Sequence, residues 1–500
     1  MSVSQHTYLV DKQHQKGKYH AIERIMLLLD KGSFCEIGKK IGSYGADPNA
    51  PDQTPYDGVI TGYGAINGRQ VFVFSQDFTV RGGSIGRNHG KKIAHLIELA
   101  IAAKKPLIGI YDSGGARIDE GVNSLAGCGD MMFQNIQASG VIPQISVVVG
   151  PCAGAASYSP AITDFVFSVR KVGYMFITGP DVIKSVTGEE RTTDELGGAQ
   201  RHAETSGVVH FLCKHEKECF AQVRSLVDLL PDSNEVNKKA PNAFVEKRYD
   251  VLEHLMEIPI KQTYDVLSVI GDVFDENSFV EVHKHFARSV VVGFARLCGK
   301  TVGVVANQPS YNGGALDCDS SDKAARFVRF CDEFHIPVIT FVDTPGYLPG
   351  VEQEHNGIIR HGAKLLVAYG EASTIRLTVV LRKAYGGAYI AMGSKHMGAD
   401  LVYVLPTAQI AVMGADGAVK TIHRRSANAL PEEERASYLA EKTREYEEAF
   451  MNADMALANG YADMVVQPSK LRKRLYQDLL LLQNKNTAAN ANKKHGNIPL

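Results

Sequence analysis

A unit of this 500-residue chain recurs about 231 residues further on, and the matches fall on glycines and turns. Residues 62–73, GYGAINGRQVFV, align with 293–304, GFARLCGKTVGV, so Gly62, Gly68, Val71 and Val73 fall on Gly293, Gly299, Val302 and Val304. The same offset places Gly82-Gly83 on Gly313-Gly314, Pro106 on Pro337, and Asp112 and Gly115 on Asp343 and Gly346. It becomes 232 where Val147, Val148, Gly154 and Ala156 meet Val379, Val380, Gly386 and Ala388. A repeated glycine implies a repeated backbone reason, either a positive φ or a close approach. Two like domains with like loops can build two like binding sites.

An earlier stretch, LLDKGSFCEI (28–37), matches VFDENSFVEV (273–282) at an offset of 245, with Asp30, Ser33, Phe34 and Glu36 meeting Asp275, Ser278, Phe279 and Glu281. The difference, 245 − 231 = 14, puts extra residues in the first copy. They belong in the Gly/Pro/Asp-rich stretch 38–57, which reads as a surface loop. Each copy then repeats a short apolar run, a Gly-rich loop and a helix. VFVF (71–74), PLIGIYD (106–112) and ISVVVG (145–150) read as strands, with PVITFVD (337–343) and LTVVL (377–381) in the same slots of the second copy. His89–Lys104 and residues 124–140 read as helices, and residues 17–30 as an amphipathic helix stopped by Gly32. This alternation predicts an α/β fold with mostly parallel strands. The polar, aperiodic segment 230–243 marks the domain boundary, giving domains 1–243 and 244–500, and the polar tail 484–498 reads as mobile.

Composition excludes several classes. With 54 basic and 55 acidic residues and no basic stripe, nucleic acid is not an expected partner. The longest apolar runs fall far short of the ~20 residues of a membrane span, and the first twenty residues hold no apolar signal core. Eight scattered cysteines without a Cys-x-x-Cys read as free thiols of a reducing cytoplasm, and no metal site is expected. Gly82-Gly83-Ser84-Ile85-Gly86 fits a hydrolase elbow in letters, but about eight residues separate it from its strand and the second copy has Ala315 at the place of Ser84. No phosphate-binding G-x-x-x-x-G-K-[ST] occurs.

The better candidates are the glycine turns after strands, DSGGAR (112–117) and GPCAGAAS (150–157) with their counterparts DTPGYLPG (343–350) and KAYGGAY (383–389). A small-residue turn feeding a helix exposes backbone N–H groups, which can bind a developing oxyanion without an ionisable side chain.

At these residues the chain resembles the carboxyltransferase (β) subunits of biotin-dependent acyl-CoA carboxylases, above all the propionyl-CoA type. SGGARIDEGVNSL, GPCAGAASYSPA, FITGPDVIKSVTGE, ARFVRFCDEFHIPVITFVDTPGYLPG and KAYGGAYIAMGSKHMGAD carry the resemblance, which runs from residue 11 to 472. It implies two tandem crotonase-like domains and a homo-hexamer built as a trimer of dimers. The active site would lie between the N domain of one protomer and the C domain of another. The implied reaction moves CO2 from carboxybiotin to the α-carbon of a short-chain acyl-CoA, with propionyl-CoA first and acetyl-CoA second. By the same resemblance, the N–H groups of Gly154 and Ala155 serve the acyl thioester, and those of Gly387 and Ala388 the ureido oxygen of biotin. Gly114, Gly115, Ala116, Arg117, Tyr158, Gly346, Tyr347, Tyr389 and Ile390 would bind substrates.

Many relatives have a second glycine at Ala155, and GSLGEMHAKK where this chain reads GSIGRNHGKK (83–92), so Arg87 is a departure. Ile390 replaces an Asp common in propionyl-specific relatives, which loosens the expected acyl preference. The chain holds neither the Met-Lys-Met of biotin attachment nor an ATP motif, so biotin would be carried and carboxylated by a partner, a biotin carboxylase and carboxyl carrier subunit. Two alternatives stay open. The same subunit type runs in reverse in methylmalonyl- or glutaconyl-CoA decarboxylases, with a membrane partner; a crotonase-type hydratase or hydrolase would require paired acids beside one turn.

Overall fold

The computed structural model describes residues 3–45, 55–235, 240–485 and 497–499; most of the tail expected to be mobile lies outside them. The chain divides into two compact units, Met1–Glu235 and Val236–Leu500. The division falls inside the polar 230–243 segment, eight residues before the expected 243.

Each unit holds one eight-stranded sheet. In the first, β1 (Cys35–Ile37), β2 (Val59–Ile66) and β3 (Arg69–Gln76) pair antiparallel. β4 (Leu107–Ser113), β5 (Gln144–Ala153), β6 (Phe165–Val169) and β8 (Phe211–Cys213) continue in parallel, while β7 (Tyr174–Phe176) pairs only with the last residues of β5. The second sheet repeats the order. It comprises β9 (Val280–Val282), β10 (Val290–Leu297), β11 (Lys300–Asn307), β12 (Val338–Thr344), β13 (Arg376–Tyr385), β14 (Leu401–Val404) and β16 (Met464–Val465), with β15 (Gln409–Ala411) on the end of β13. The expected mostly parallel sheet thus carries an antiparallel edge in both copies. The β2–β3 and β10–β11 connections are tight hairpins, which only antiparallel strands can make.

The duplication extends to register. Gly62 pairs with Val73 across the β2–β3 hairpin and Gly293 with Val304 across β10–β11, each 231 further on. Glu36 pairs with the same Gly62 and Glu281 with Gly293, so the 245 offset of the edge strand reflects an insertion between β1 and β2. The repeated glycine has a repeated cause. A Cβ at Gly62 would collide with the Cys35 carbonyl and sit 2.6 Å from the Phe34 ring; one at Gly293 would collide with the Val280 carbonyl and sit 2.7 Å from the Phe279 ring.

Helices cover the sheets. Arg87–Ala103 and Val122–Ala138 pack on the first, where Ile93, Leu96, Ile97, Cys128 and Met131 join Phe74, Tyr111 and Val148 in one core. Burial of such side chains contributes roughly 1.5–3 kcal/mol each. The helix expected over 17–30 is shorter, Ala21–Leu28, because the His20 side chain accepts from Ile22 N–H and Glu23 returns the contact to His20 N–H, a reciprocal cap that fixes the start.

Gly293→Ala is expected to lower the unfolding midpoint, costing about 1–3 kcal/mol through overpacking. Gly271→Ala, inside the helix Val266–Val273 with nothing within 4 Å of the new methyl, is expected to raise it by roughly 0.5–1 kcal/mol. Calorimetry of both variants beside wild type checks the pair of signs.

Candidate functional site

The fifth strand of each sheet ends in a turn that the fold treats alike. β5 is paired along its first half with β6 and at its end with β7; β13 is paired with β14 and then β15. Each strand leaves the sheet between its two partners. Gly154 follows β5 with φ +57° and opens a 3₁₀ turn, Gly154–Ser157, continued by the helix Tyr158–Ile162. Gly386 follows β13 with φ +60° and opens the helix Gly386–Ala391. A side chain at either position would strain the backbone. The opening N–H groups of a helix have no intrahelical acceptor. Ala155 and Ala388 do not share the positive φ, so a methyl at 155 leaves its N–H in an ordinary backbone. At the offset of 232, Ala155 is the counterpart of Gly387, Ala156 of Ala388, and Tyr158 of Ile390. The expected pairs Gly154-Ala155 and Gly387-Ala388 are therefore displaced by one residue within the repeat. Cys152, buried just ahead of the first turn, donates to the Ala156 carbonyl at 3.2 Å, and burial pushes its thiol well above the usual range.

The second pair of loops lies against the Gly-Gly loops through a repeated hydrogen-bond lattice. Ile85 N–H donates to Gly115 O at 2.8 Å and Arg117 N–H to Ile85 O at 2.9 Å; Leu316 N–H donates to Gly346 O at 3.1 Å and Leu348 N–H to Leu316 O at 2.7 Å. Gly115 N–H meets Ser113 Oγ and Gly346 N–H meets Thr344 Oγ1. Gly114 N–H is taken by Gly82 O at 2.9 Å, and Ala116 bridges to Ile85. The amides of Gly114, Gly115, Arg117 and Gly346 are committed within the protein. So is Arg117, which is 2% exposed and binds Asp57 at 2.5 Å, Glu120 at 2.7 Å and the Ser84 carbonyl at 2.8 Å. Ser84 Oγ donates to Arg81 O and accepts from Arg117 Nε, as a loop brace would.

The side chains around the turns are mostly neutral. Tyr158 is 51% and Ile390 41% exposed. A Cβ on exposed Gly387 would stand 3.7 Å from the Tyr347 ring. Burial pushes the Tyr347 and Tyr389 hydroxyls up to about 12, and the buried Tyr389 Oη has no hydrogen-bond partner among the described residues. Among the described residues no group of His, Cys, Asp or Glu is placed to hold a metal ion.

Three features outside the turns have no role assigned to them by the sequence. Arg87 ion-pairs with Asp130, tying the helix Arg87–Ala103 to Val122–Ala138. Buried His89 is held well below the usual range, at about 3, by desolvation and by Arg117, so it is neutral; its Nδ1 meets Asp57 O at 2.8 Å and its Nε2 meets Gln76 Nε2 at 3.2 Å. Lys92 and Lys323, 231 apart, each bury an ammonium among carbonyls: Lys92 donates to Tyr56 O and Val59 O, Lys323 to His283 O and Phe286 O. The 231 offset alone would have paired these lysines, but nothing in a lysine's neighbourhood announces burial.

Burial lowers Lys92 from 10.5 to about 8, and lowers Lys323 in the same way. Below pH 8 both folded and unfolded chains hold the Lys92 proton, and the folded state bears the full cost of a buried charge. Between about 8 and 10.5 the unfolded chain keeps the proton and the folded one has lost it, so this contribution to stability rises with pH. The stability difference between wild type and Lys92→Met is expected to grow in favour of wild type across that window in urea titrations; a flat difference would show an ordinary lysine.

Residues 12–498 match the carboxyl transferase domain family. The chain is 50% identical over 98% of its length to the propionyl-CoA carboxylase beta chain of Roseobacter denitrificans, covering 96% of that protein. It is 45% identical, again over 98% of its length and 95% of the relative, to the methylmalonyl-CoA decarboxylase subunit alpha of Propionigenium modestum. Its fold matches the crystal structure of transcarboxylase 12S, a hexamer with methylmalonyl-coenzyme A and methylmalonic acid bound, with a TM-score of 0.92, 46% identity, and 99% and 94% of the two chains covered. The two units have the crotonase-like fold expected of them. A family match over residues 12–498, with 45–50% identity sustained over nearly the whole length of these relatives, places the chain in the carboxyl transferase domain family.

Proposed function

We propose that the chain is the carboxyltransferase subunit of a biotin-dependent acyl-CoA carboxylase, with propionyl-CoA as its first substrate. The observation that carries this reading is the pair of like turns, Gly154-Ala155 and Gly387-Ala388, in a chain of the carboxyl transferase family. A carboxyl transfer from an N-carboxylated ureido ring to a thioester α-carbon develops negative charge on two carbonyl oxygens. One turn in each unit meets that demand. Gly154 and Ala155 N–H groups stabilise the thioester oxygen, and Gly387 and Ala388 N–H groups the ureido oxygen; one such donor is worth about 3–4 kcal/mol of barrier.

The surroundings of Gly387 fit an uncharged ring. Tyr347 offers a flat wall, and the unpartnered Tyr389 hydroxyl a neutral polar group. Carboxybiotin bound there supplies the carbon dioxide and, once that is released, the base for the α-proton. The chain's part is to orient and to polarise, and no charged side chain is needed for it. Gly114, Gly115, Arg117 and Gly346 set the shape of the acyl and biotin walls rather than offering free donors, as their internal hydrogen bonds support, and Ala116 lies in the same bridge to Ile85. Tyr158 and Ile390, at one repeat position, line the open side of the two turns. The biotin is carried and carboxylated by a partner subunit. A homo-hexamer, as in transcarboxylase 12S, and a reducing, cytoplasmic setting, supported by eight unpaired cysteines, complete the reading.

A second reading has direct support. The similarity to a methylmalonyl-CoA decarboxylase alpha subunit fits the same site run backwards, loading biotin from methylmalonyl-CoA. The hydratase or hydrolase alternative has none: residues 151–158 and 383–390 contain no Asp or Glu.

The assay that tests the assignment is carboxylation of acetyl-, propionyl- and butyryl-CoA with a biotin carboxylase and carrier partner, together with the reverse reaction. Ile390→Asp is expected to change the ratio of kcat/KM among the three by about 10-fold, since one methylene in an apolar pocket is worth ~1–3 kcal/mol. An unchanged ratio would make Ile390 a packing residue.

Ala155→Pro and Ala388→Pro remove one N–H each and are expected to lower kcat by ~10²-fold or more. Ala155→Gly and Ala388→Gly keep the donor and should cost far less. The Ala388→Pro variant should fail to decarboxylate free carboxybiotin, and Ala155→Pro should retain that step while failing on the acyl-CoA. Near-normal rates in both proline variants, at wild-type mass and circular dichroism, would refute the two-turn mechanism.

A further inference from the structure

Asp112 and Asp343 occupy one position of the repeat, near the ends of β4 and β12, and both are buried. Each lies between two cations, but the cations come from different places. In the second unit they come from the adjacent strand itself. Arg382 Nε donates to Asp343 Oδ2 at 2.9 Å, Lys383 N–H to Oδ1 at 3.2 Å, and Lys383 Nζ stands 3.4 Å from Oδ1. At the offset of 232, the first unit has Gly150 and Pro151 in those positions. Gly150 has no side chain and Pro151 no N–H, so β5 offers the aspartate neither. The missing cations arrive from the N-terminal segment: Arg24 Nη1 donates to Asp112 Oδ2 at 2.9 Å and Lys18 Nζ lies 2.7 Å from it.

The exchange is complete in detail. A Cβ on Gly150 would collide with the Asp112 carboxylate, so the space that a side chain would need is filled by the aspartate itself. Arg24 spends its other edge on buried Glu216, at 2.8 and 3.1 Å, and on the Val149 carbonyl of β5 at 3.3 Å. Arg382 spends its other edge on the Pro259 and Gln262 carbonyls and lies over the Tyr264 ring at 4.7 Å. Both backbone amides of the aspartates are held by a matched pair, Gln76 Oε1 and Asn307 Oδ1, again 231 apart. Gly150 precedes Gly154, and Arg382 precedes Gly386, by the same short stretch of strand.

We infer that Arg24 and Arg382 are positioning residues for carboxyl transfer, each acting through its aspartate on the strand that carries the glycine turn of its own unit. The first turn is thus set by the segment 18–24 and the second by its own strand. The inference rests on the roles given to the two turns under Proposed function. Removing Arg24 leaves buried Glu216 without its arginine and Asp112 with Lys18 alone, and removing Arg382 leaves Asp343 with Lys383 alone; the strand relieves such under-compensated buried charge by moving. A displacement of about 1 Å at a reacting group costs on the order of 10²-fold in rate.

The test uses the full chain and two readouts. In amide hydrogen exchange, Arg24→Met is expected to speed exchange in peptides spanning 150–158 and to leave 382–390 unchanged; Arg382→Met is expected to do the reverse. In carboxyl transfer from methylmalonyl-CoA to biocytin, Arg24→Met should raise KM for the CoA ester and Arg382→Met KM for biocytin, with kcat down ~10-fold or more in each. Exchange that rises in both peptides or in neither, or KM values that move together, would overturn the inference. If Arg24→Met does not fold, Arg24→Lys keeps the charge but loses the two-edged grip on Glu216, and the same selective pattern must appear at smaller size. A wild-type chain inactive toward methylmalonyl-CoA and biocytin would remove the functional assignment, whereas the exchange pattern reads the positioning role without it.

Discussion

The buried carboxylate at the end of the fourth strand of each sheet is the constraint on which the rest turns. Asp112 and Asp343 are almost without solvent, so each must be met by positive charge inside the protein. In the second unit the demand is local and met within two consecutive residues of β13. In the first it draws in the helix Ala21–Leu28, Glu216 and the Val149 carbonyl, so a segment far away in sequence becomes part of the sheet's interior. The electrostatics show which groups bear the cost. Desolvation works against Arg24, yet Asp112 and Glu216 outweigh it and hold the guanidinium above its ordinary value. Desolvation wins at Lys18, which sits below its ordinary value despite Asp112.

The two glycine turns show why this matters for chemistry. A main-chain donor cannot be tuned by its own side chain, and its direction is that of the strand and helix it joins. Precision therefore has to come from the neighbours. Here these are the split pairing of β5 and β13, the positive φ of Gly154 and Gly386, and the lattice joining 84–86 to 115–117 and 315–317 to 346–348. Residues that look like ligands in a sequence, Arg117 above all, are consumed in holding this frame.

Much of this was legible in the amino-acid sequence because glycine constraints are local. Gly62 and Gly293 name a close strand approach, and the offset of 14 between 231 and 245 names an insertion, without knowledge of any contact. The α/β class and most strands follow from apolar runs and turns. The antiparallel edge was missed because short strands in hairpins and in crossovers have the same composition. The start of the helix Ala21–Leu28 was misplaced because His20 caps it through a side-chain contact that periodicity does not register. Arg24, Lys18, Lys92 and Lys323 were missed for one physical reason. A buried cation is defined by its partners, and those lie on other elements, 88 residues away for Arg24 and Asp112. Comparing the two copies position by position supplies the one available signal, namely Gly150-Pro151 opposite Arg382-Lys383.

That opposition also sets how far the halves can stand in for one another. An unpaired buried charge costs several kcal/mol, so neither aspartate can do without the cations its own unit supplies. Glu216 beside Arg24, and the Pro259 and Gln262 carbonyls beside Arg382, hold the second edge of each guanidinium. The halves of the molecule are consequently no longer interchangeable, although their backbones repeat: a graft of either β5 or β13 into the other sheet would arrive with the wrong number of charges.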